Sequence, residues 1–521
     1  MQTKKPQEPP SEEGGCEIQE LCPTPKGLKW NDWKMYMGPP GKRRTIPNNY
    51  PHIATVYVPR KTTRDKCAAD NLLNIIEKPD VAGFTATTWN EKAYTKSFEK
   101  FDYGKSKNVP EIEPDLTLFA DACVLAEVDY FSDSRVIPIT ATEKNIDSTP
   151  AFPKMLEYDT EKEFLASHGM NEYIEAQTNI EETVKHEPMW WCFLKNEVIK
   201  EKKVKDNDIR IISCTDPTYT RIGATLDQDQ NARMKQRTET KHAQVGWTPF
   251  RGGLNKRLNR ISKGRNTFVE LDWTRFDGTI PVWLFQRIRR IRWFFVREPD
   301  RTTYFRLARW YSHRLTNRLT LFPTGEVTRI CKGNPSGQFS TTVDNNLVNE
   351  WLTAFEFGYL YRKKNGVLPT VMEYRKAVDF LCYGDDRILA FDSNFVNYEP
   401  GAVIDMYKNY FGMWVKPENI KTSTSLDGLS FCGFTFVKAE NRWVGIMNAD
   451  KILQSLKTPT RALPDLESLW GKLVSLRILL QHADKKHRSY LDAQIARVEA
   501  YARAEGVELP EISADLYRTI W

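Results

Sequence analysis

The pattern of hydrophobic and polar positions predicts several elements along the chain. Residues 267–273, TFVELDW, are mainly apolar up to Asp272 and predict a buried strand. Residues 280–298 carry apolar side chains at helical spacing with arginines between them, which predicts an amphipathic helix. A second long helix is predicted over 337–361, and two strands around a basic loop over 189–217. The C-terminal stretch is also rich in helical pattern.

The segment FLCYGDDRILAF, residues 380–391, places two adjacent carboxylates in an otherwise apolar run. Side chains alternate between the faces of a strand, so an acid pair in mid-strand would bury at least one charge at a high cost. A tight turn at Gly384 avoids this cost, because glycine tolerates the turn conformation. Since the flanking residues favour strands, the pattern predicts a β-hairpin with Asp385 and Asp386 at its tip.

Composition limits the class of protein. The chain has 521 residues, enough for a large core and more than one subdomain, and 40% of them are apolar, as in a folded globular protein. A net charge of +7 suggests a polyanionic partner only weakly. Nine cysteines without a C-x-x-C pair argue against a zinc ribbon or a dense disulfide framework, and favour a reducing compartment. The seven histidines form no cluster of the metal-binding kind.

Targeting signals are not evident in the sequence. No apolar run has the length needed to span a bilayer. The first fifteen residues lack the apolar core of a signal peptide. We expect residues 1–25, which are rich in Pro and Glu, to form a short disordered tail.

A third carboxylate gives the acid hairpin a chemical meaning. Asp272 lies where its apolar strand ends, with Asp277 five residues later. If this strand lies beside the hairpin, three carboxylates form a patch that repels itself unless divalent cations balance it. Mg²⁺, with Mn²⁺ as an alternative, prefers such oxygen ligands, and two metals can activate a hydroxyl and stabilise a leaving pyrophosphate. The alternative is that the acids at Asp385 and Asp386 are ordinary solvated turn residues.

The loop KGNPSGQFSTTVDNN, residues 332–346, supports the metal interpretation. Its small residues let backbone amides approach a template or a nucleotide closely. Thr341 and Asn345 are four residues apart and share one helix face, so with Asp277 they could bind a ribose 2′-hydroxyl. The alternative is a helix N-cap followed by an amphipathic helix.

These motifs, in this order, resemble the palm of RNA-dependent RNA polymerases of positive-strand RNA viruses, such as those of picornaviruses and caliciviruses. Four segments are most similar to astrovirus polymerases, the C-terminal products of a frameshifted nonstructural polyprotein: ELDWTRFDGTIP, KGNPSGQFSTTVDNN, YGDDR and LSFCGFTF. The resemblance runs from about residue 147 to residue 440. It implies an α+β right-hand fold with fingers, a palm built of an antiparallel sheet and helices, and a helical thumb.

The resemblance implies roles for individual palm residues. In order of role, they are the catalytic and metal-holding Asp272, Asp385 and Asp386, the ribose-selecting Asp277, Thr341 and Asn345, and Ser336 and Gly337 of the loop that gates nucleotide entry. The segment FGMWVKPENIKTS resembles the motif whose lysine protonates the leaving pyrophosphate. Lys421 fits that position best, and Lys416 is the second candidate.

Three further segments resemble parts that contact RNA or nucleotide. FLKNEVIKEKKVKDNDIRII resembles the basic fingers motif, in which Lys195 and Arg210 would contact the triphosphate. The individual roles of the loop lysines (200, 202, 203 and 205) cannot be assigned, and a solvated lysine surface is the alternative. The arginines at 287, 289, 290, 292 and 297 are expected to include both surface and RNA-facing side chains.

The other two segments concern template and primer. STPAFP, residues 148–153, resembles the template-entry motif through Ser148 and Thr149, although the family often has Gly where this chain has Ala151. FCGF resembles the primer-grip hairpin between palm and thumb, with a plain buried strand as the alternative. Its contributing residues are Phe431, Cys432 and Gly433.

The implied function is replication and transcription of a positive-strand RNA genome from rNTPs. The alternatives are a reverse transcriptase, against which Asp277 with Asn345 argues, and an inactive polymerase fold that binds RNA as a scaffold. RNA, rNTPs, a genome-linked protein primer and other viral proteins are the implied partners, in the host cytoplasm at membrane-associated replication complexes. We expect six segments: a tail (1–25), an N-terminal extension with fingers (26–235), the first part of the palm (236–304), a fingers insertion (305–332), the second part of the palm (333–434) and the thumb (435–521).

Overall fold

A computed structural model describes residues 34, 36–58 and 71–521 of the chain. The tail expected over residues 1–25 lies outside this part. The strands are β1 (Met37–Gly38), β2 (Ala54–Val56), β3 (Phe84–Ala86), β4 (Met189–Leu194), β5 (Val198–Lys200), β6 (Ile211–Cys214), β7 (Thr267–Thr274), β8 (Arg318–Leu321), β9 (Glu326–Ile330), β10 (Val378–Tyr383), β11 (Asp386–Phe391), β12 (Trp414–Ser423), β13 (Ser430–Phe431), β14 (Phe434–Ala439) and β15 (Arg442–Ile446).

Helices occupy most of the remaining described chain. They are α1 (Glu91–Ser97), α2 (Glu99–Asp102), α3 (Val109–Ile112), α4 (Pro114–Glu127), α5 (Glu161–His168), α6 (Asn171–Thr178), α7 (Ile180–Thr183), α8 (Glu201–Lys205), α9 (Pro217–Lys235), α10 (Gly253–Ser262), α11 (Phe276–Thr279), α12 (Val282–Phe294), α13 (Glu298–Thr316), α14 (Thr341–Asn365), α15 (Val371–Ala377), α16 (Pro400–Met406), α17 (Ala449–Lys457), α18 (Leu466–Leu479), α19 (Lys485–Glu505) and α20 (Leu516–Thr519). Short 3₁₀ helices cover Asn71–Ile75, Asp129–Phe131, Ile139–Ala141 and Lys154–Leu156, and a π-helical turn covers Tyr407–Phe411.

The structure confirms the elements with the strongest local patterns. The strand over TFVELDW is β7, the helices over 280–298 and 337–361 are α12 and α14, and the two strands over 189–217 are β4 and β6, which pair antiparallel. The connection between β4 and β6 contains more than a loop, because β5 and α8 form there. Helices and sheets are mixed, as expected for an α+β protein. Within the described residues, no helix has the length and apolar content needed to cross a membrane.

Four strands form the sheet that carries most of the candidate site. Their order is β10-β11-β7-β12, and each neighbouring pair is antiparallel. Alternate residues of this sheet enter two different cores. Val269 and Leu271 belong to the largest core, which also contains much of α14, whereas Phe268 and Ile388 pack with Leu254 of α10. The sheet is therefore covered on both faces and is held firmly in place.

A six-stranded sheet lies elsewhere in the chain, in the order β1-β2-β9-β8-β4-β6. A separate core joins the C-terminal helices to a distant segment: Leu73 of the first 3₁₀ helix packs with Leu469 and Leu473 of α18 and with Leu491 of α19. Residues more than 390 positions apart in sequence thus share one apolar cluster.

The arginines of α12 correct one expectation from the sequence. Arg289 and Arg292 are each 1% exposed and pair with Asp227 of α9 and Asp344 of α14. Two acids from neighbouring helices compensate two cations, so these side chains form a buried ion cluster. The expectation that they lie on the surface or face RNA is wrong for this pair. Arg287 also pairs within the protein, with Asp121.

Candidate active site

The acid pair lies at the tip of a hairpin, as the sequence predicts. β10 and β11 pair in register from Val378 opposite Phe391 to Tyr383 opposite Asp386, which leaves a two-residue turn of Gly384 and Asp385. Gly384 has φ of +59°, a left-handed conformation that disfavours side chains. The turn therefore requires glycine immediately before the acids.

Asp272 lies on the strand next to this hairpin. Ile388 of β11 is opposite Glu270 of β7, and continuing the same register brings Asp386 opposite Asp272. Asp272 and Glu270 point to the same face, since strand side chains alternate. The patch of carboxylates expected from the sequence is therefore formed by two adjacent strands and one turn.

The electrostatics of this patch favour a bound cation. Asp385 is exposed to solvent on one side. Desolvation by the surrounding protein nevertheless raises its pKa to about 7, with smaller contributions from the charges of Asp277, Asp272 and Asp386. Partial burial, with Asp272 and Glu270 nearby, raises the pKa of Asp386 to about 6. The pKa of Asp272 is also raised, by desolvation and by Glu270. Burial and neighbouring acids dominate the electrostatics of Asp385 and Asp386, whereas Arg210, which interacts with Asp385, is itself paired with Glu197. Carboxylate oxygens in such an acidic setting fit Mg²⁺ or Mn²⁺.

A second hairpin supports Asp386. The backbone N–H of Cys432 donates to Asp386 Oδ2 at 2.6 Å. Cys432 and Gly433 form the turn between β13 and β14, with φ of +52° and +80°. FCGF is thus a turn with short strands on either side, and the plain buried strand is the wrong alternative. The side chain of Phe431 is fully buried, so only the turn faces the acids.

Asp277 and Asn345 lie together, as the sequence suggests. Asn345 Nδ2 donates to Asp277 Oδ1 at 2.8 Å, and Asn334 Nδ2 donates to Asn345 Oδ1 at 3.0 Å. The backbone N–H of Asn334 also donates to the backbone carbonyl of Asp277 at 2.7 Å. Thr341 is engaged differently, because its hydroxyl donates to the carbonyls of Pro335 and Gln338. The Asn345 amide and the Asp277 carboxylate are therefore held together by hydrogen bonds, and Thr341 stabilises the loop that precedes α14.

The loop at Ser336 and Gly337 rests on β6. Ser336 Oγ donates to the carbonyl of Ile211 at 3.0 Å, and Gly337 N donates to the carbonyl of Ser213 at 2.9 Å. A Cβ at position 337 would lie 2.3 Å from the Ser213 carbonyl oxygen. The close approach of the two backbones therefore explains why glycine occupies position 337.

Lys195 directly follows β4, Arg210 directly precedes β6, and the two share an acidic partner. The backbone N–H of Lys195 donates to the carbonyl of Arg210 at 2.8 Å. The Arg210 guanidinium binds Glu197 through Nε at 2.8 Å and through Nη2, and Lys195 Nζ lies 3.6 Å from the same carboxylate. The hydrogen bond to Glu197, and more weakly the charges of Asp385 and Asp277, raise the pKa of Arg210. Arg210 thus lies within electrostatic reach of the acid patch.

The two lysine candidates on β12 occupy different surroundings. Lys421 is opposite Glu270 on β7, two positions before Asp272 and on the same face of that strand. Lys416 lies in the irregular stretch between Val415 and Ile420, with its ammonium 5.0 Å from the centroid of the Trp414 ring. Lys421 is therefore aligned with the acid strand, and Lys416 is engaged by an aromatic ring.

The STPAFP segment forms a compact turn. Ser148 Oγ donates to the carbonyl of Asn145 at 2.8 Å, and Thr149 Oγ1 accepts from the backbone N–H of Ala151 at 3.2 Å. Ala151 is fully buried and has φ of +55°. This left-handed conformation accounts for the glycine that the family often has at the position.

Several contributors to the site were missed by sequence reasoning. Lys100 of α2 packs against Gly278 and interacts electrostatically with Asp277, while its burial lowers its own pKa. The charge of Lys203 in α8 acts on Asp272 and lowers its pKa in opposition to desolvation. Glu197, which binds Arg210, was not singled out either. Neither motif spacing nor charge pattern links Lys100 to an acid 177 positions away, so only the fold reveals it.

The histidines need one correction. His242, Glu127 and Glu350 are buried together and offer ligand atoms within 4.8 Å of one another. His242 Nδ1 lies 2.9 Å from Glu350, and Nε2 lies 3.4 Å from Asp379. Burial alone would lower the pKa of His242, but Glu127 and Glu350 together with Asp379 raise it to about 10. Contrary to the expectation of no metal-binding cluster, possible ligands do gather at this histidine, and the contacts of His242 with the three acids offset part of their charge.

Comparisons with known proteins agree with the geometry. A family model described as viral RNA-dependent RNA polymerase matches residues 85–495. The chain is similar to non-structural polyprotein 1AB of Avian nephritis virus 1 (60% identical over 520 residues), Turkey astrovirus 2 (49% over 512) and Human astrovirus-5 (43% over 524). These alignments cover 98–100% of the chain but 31–36% of the polyproteins, so the chain spans about a third of their length. Because the family model matches about four-fifths of its length, the chain belongs to the viral RNA-dependent RNA polymerase family.

Proposed function

We propose that the chain is an RNA-directed RNA polymerase that copies an RNA template by adding rNTPs to an RNA 3′ end. The observation that carries the proposal is the patch of Asp272, Asp385 and Asp386, whose carboxyl pKa values are all raised, beside the Asp277–Asn345 pair. These three carboxylates would hold two divalent cations, Mg²⁺ or Mn²⁺. When bound, such cations activate the attacking hydroxyl and stabilise the pyrophosphate that leaves.

The basic side chains at the site suit a triphosphate. Lys195 and Arg210 would bind the phosphates, since charge-assisted hydrogen bonds to phosphate are strong and Arg can bind through two nitrogens. Glu197 now binds Arg210 in the same bidentate manner. Phosphate oxygens would therefore compete with Glu197 for this guanidinium.

The remaining proposed roles concern sugar, leaving group and RNA. Asn345 and Asp277 would hydrogen-bond the 2′-hydroxyl, and this pair favours ribose and disfavours a reverse transcriptase. Lys421 would donate a proton to the departing pyrophosphate, with Lys416 as the second candidate. Residues proposed to guide RNA or gate the nucleotide are Ser148, Thr149, Ser336, Gly337, Thr341, Phe431, Cys432 and Gly433.

We also propose the right-hand architecture. The six-stranded sheet unites strands from 37–56, 189–214 and 318–330, which supports one fingers unit built from 26–235 and 305–332. The four-stranded sheet supports a palm within 236–304 and 333–434, and the helices after β15 support a thumb within 435–521. The limit between 304 and 305 falls inside α13, so the palm and the fingers insertion would be joined by a continuous helix.

The proposed partners are an RNA template and product, a genome-linked protein primer and other viral nonstructural proteins. The last of these would bring the polymerase to membrane-associated replication complexes in the host cytoplasm. The resemblance to the polymerase family supports these partners.

Primer extension tests the function. Wild-type protein, a short RNA template with primer, Mg²⁺ and rNTPs should give template-length product, and Asp385→Ala should give none while RNA binding is unchanged. A matched reaction with dNTPs should give much less product. Efficient dNTP incorporation would favour a reverse transcriptase, and RNA binding without synthesis by the wild type under every priming condition would favour an inactive scaffold.

A further inference from the structure

The backbone of the acid turn is held by one side chain of α14. Asn349 Nδ2 donates to the carbonyl of Gly384 at 2.9 Å and to the carbonyl of Asp386 at 3.3 Å. These carbonyls flank Asp385 on both sides. A primary amide has two N–H donors on one nitrogen, so Asn349 can satisfy both carbonyls at once.

The orientation of this amide is itself fixed. Thr353 Oγ1, one helical turn further along α14, donates to Asn349 Oδ1 at 3.2 Å. Arg387 Nη1 donates to the same Thr353 oxygen at 3.1 Å, and Arg387 Nη2 binds Glu356 at 3.0 Å. Because Asn349 Oδ1 accepts from Thr353, its nitrogen must face the hairpin.

Burial makes these contacts consequential. Asn349 and Arg387 are 0% exposed, and Thr353 and Glu356 are 1% exposed. Bulk solvent does not reach these side chains, and a buried polar group without a partner is costly. The chain of contacts begins at the turn and ends on the residue directly after Asp386.

We propose that Asn349 is a positioning residue that sets the location of the Asp385 carboxylate through the backbone of the turn. The inference rests on the proposed function, because Asp385 matters as a ligand and catalytic group only there. Asn349 Nδ2 donates to backbone carbonyls and not to an acid side chain, so Asn349 acts through the turn. Thr353 and Arg387 fix Asn349 from behind.

The test compares Asn349→Ala with Asn346→Ala. Asn346 is buried on the same helix, but its Nδ2 donates within the helix, to the carbonyl of Thr342 at 2.8 Å. Asn349→Leu is the second variant for the case that alanine fails to fold, because leucine fills a similar volume without donating. Two readouts need no RNA synthesis: amide hydrogen exchange of residues 378–391, and Mn²⁺ binding measured by electron paramagnetic resonance.

Both Asn349 variants should increase hairpin exchange and weaken Mn²⁺ binding about three- to tenfold, as expected for the loss of one or two hydrogen bonds. In primer extension, kcat should fall while the KM for rNTP stays within about twofold, because the contacts to nucleotide remain. Asn346→Ala should match the wild type in all three measurements. Equal exchange and Mn²⁺ affinity in the Asn349 and Asn346 variants would overturn the proposal. The proposed function fails separately, on wild-type protein that incorporates no rNTP.

Discussion

Replacing Asn345 by alanine should collapse the preference for rNTPs over dNTPs. Asn345 is pinned between Asn334 and Asp277, with distances of 3.0 Å and 2.8 Å. The variant loses the amide that would donate to the 2′-hydroxyl, worth about 1 kcal/mol. The variant also removes the hydrogen bond that Asn345 donates to the Asp277 carboxylate. Because this carboxylate would position the sugar, we expect about another 1 kcal/mol of transition-state stabilisation to be lost. Together, about 2 kcal/mol corresponds to about 30-fold in kcat/KM for the ribonucleotide.

The assay is single-nucleotide primer extension with matched rATP and dATP. The efficiency for rATP should fall about 30-fold, whereas the efficiency for dATP, which has no 2′-hydroxyl, should change by less than about threefold. Asn346→Ala is the control, because that neighbouring amide donates within α14. If rATP and dATP lose efficiency equally, Asn345 supports the loop and does not read the sugar, and the reasoning is refuted.

Three other predictions concern pH, stability and packing. Since the raised pKa of Asp385, about 7, leaves the carboxylate protonated at low pH, the Mg²⁺ concentration for half-maximal synthesis should fall as pH rises from 6 to 8; a flat profile would contradict this. Asp344→Asn leaves two buried guanidiniums against one acid, so the free energy of unfolding measured by chemical denaturation should fall by about 3–5 kcal/mol. Adding Arg292→Met should recover part of this loss. An unchanged free energy of unfolding in Asp344→Asn would refute the buried ion cluster. Gly337→Ala should lower primer-extension activity at least about tenfold, because its Cβ meets the Ser213 carbonyl; wild-type activity would show that the loop yields.

Local patterns predicted much of the site. The acid hairpin, β7 and α14 each have a signal contained in a dozen or so residues: alternation, helical spacing, or glycine at a left-handed turn. The Asp277–Asn345 contact needed more, because nothing in the spacing of positions 68 residues apart brings them together. It was proposed from the suitability of these side chains for a ribose 2′-hydroxyl, and the resemblance to a family supported it.

Charge patterns were misleading where burial decides the outcome. The arginines of α12 have the spacing of a basic helix face, yet Arg289 and Arg292 are buried because Asp227 and Asp344 approach from two other helices. His242 is similar, since its acids come from α4, α14 and β10. A sequence reveals the sign of a charge but not its distant partner. Arginines with the same spacing can therefore be buried in one protein and exposed in another.

Helix α14 links the proposed recognition of the nucleotide to the placement of the acids, because both depend on one rigid element. Successive turns of this helix present Asn345 to Asp277, Asn349 to the acid turn, and Thr353 with Glu356 to Arg387. Its remaining faces are buried in the main core, so the helix cannot shift at one contact without shifting at the others. A sugar that does not hydrogen-bond Asn345 would therefore affect the same helix that holds the turn at Asp385. It follows that substitutions at Asn345 and Asn349 should not be additive in their effects on kcat, because neighbouring contacts on one packed element are coupled.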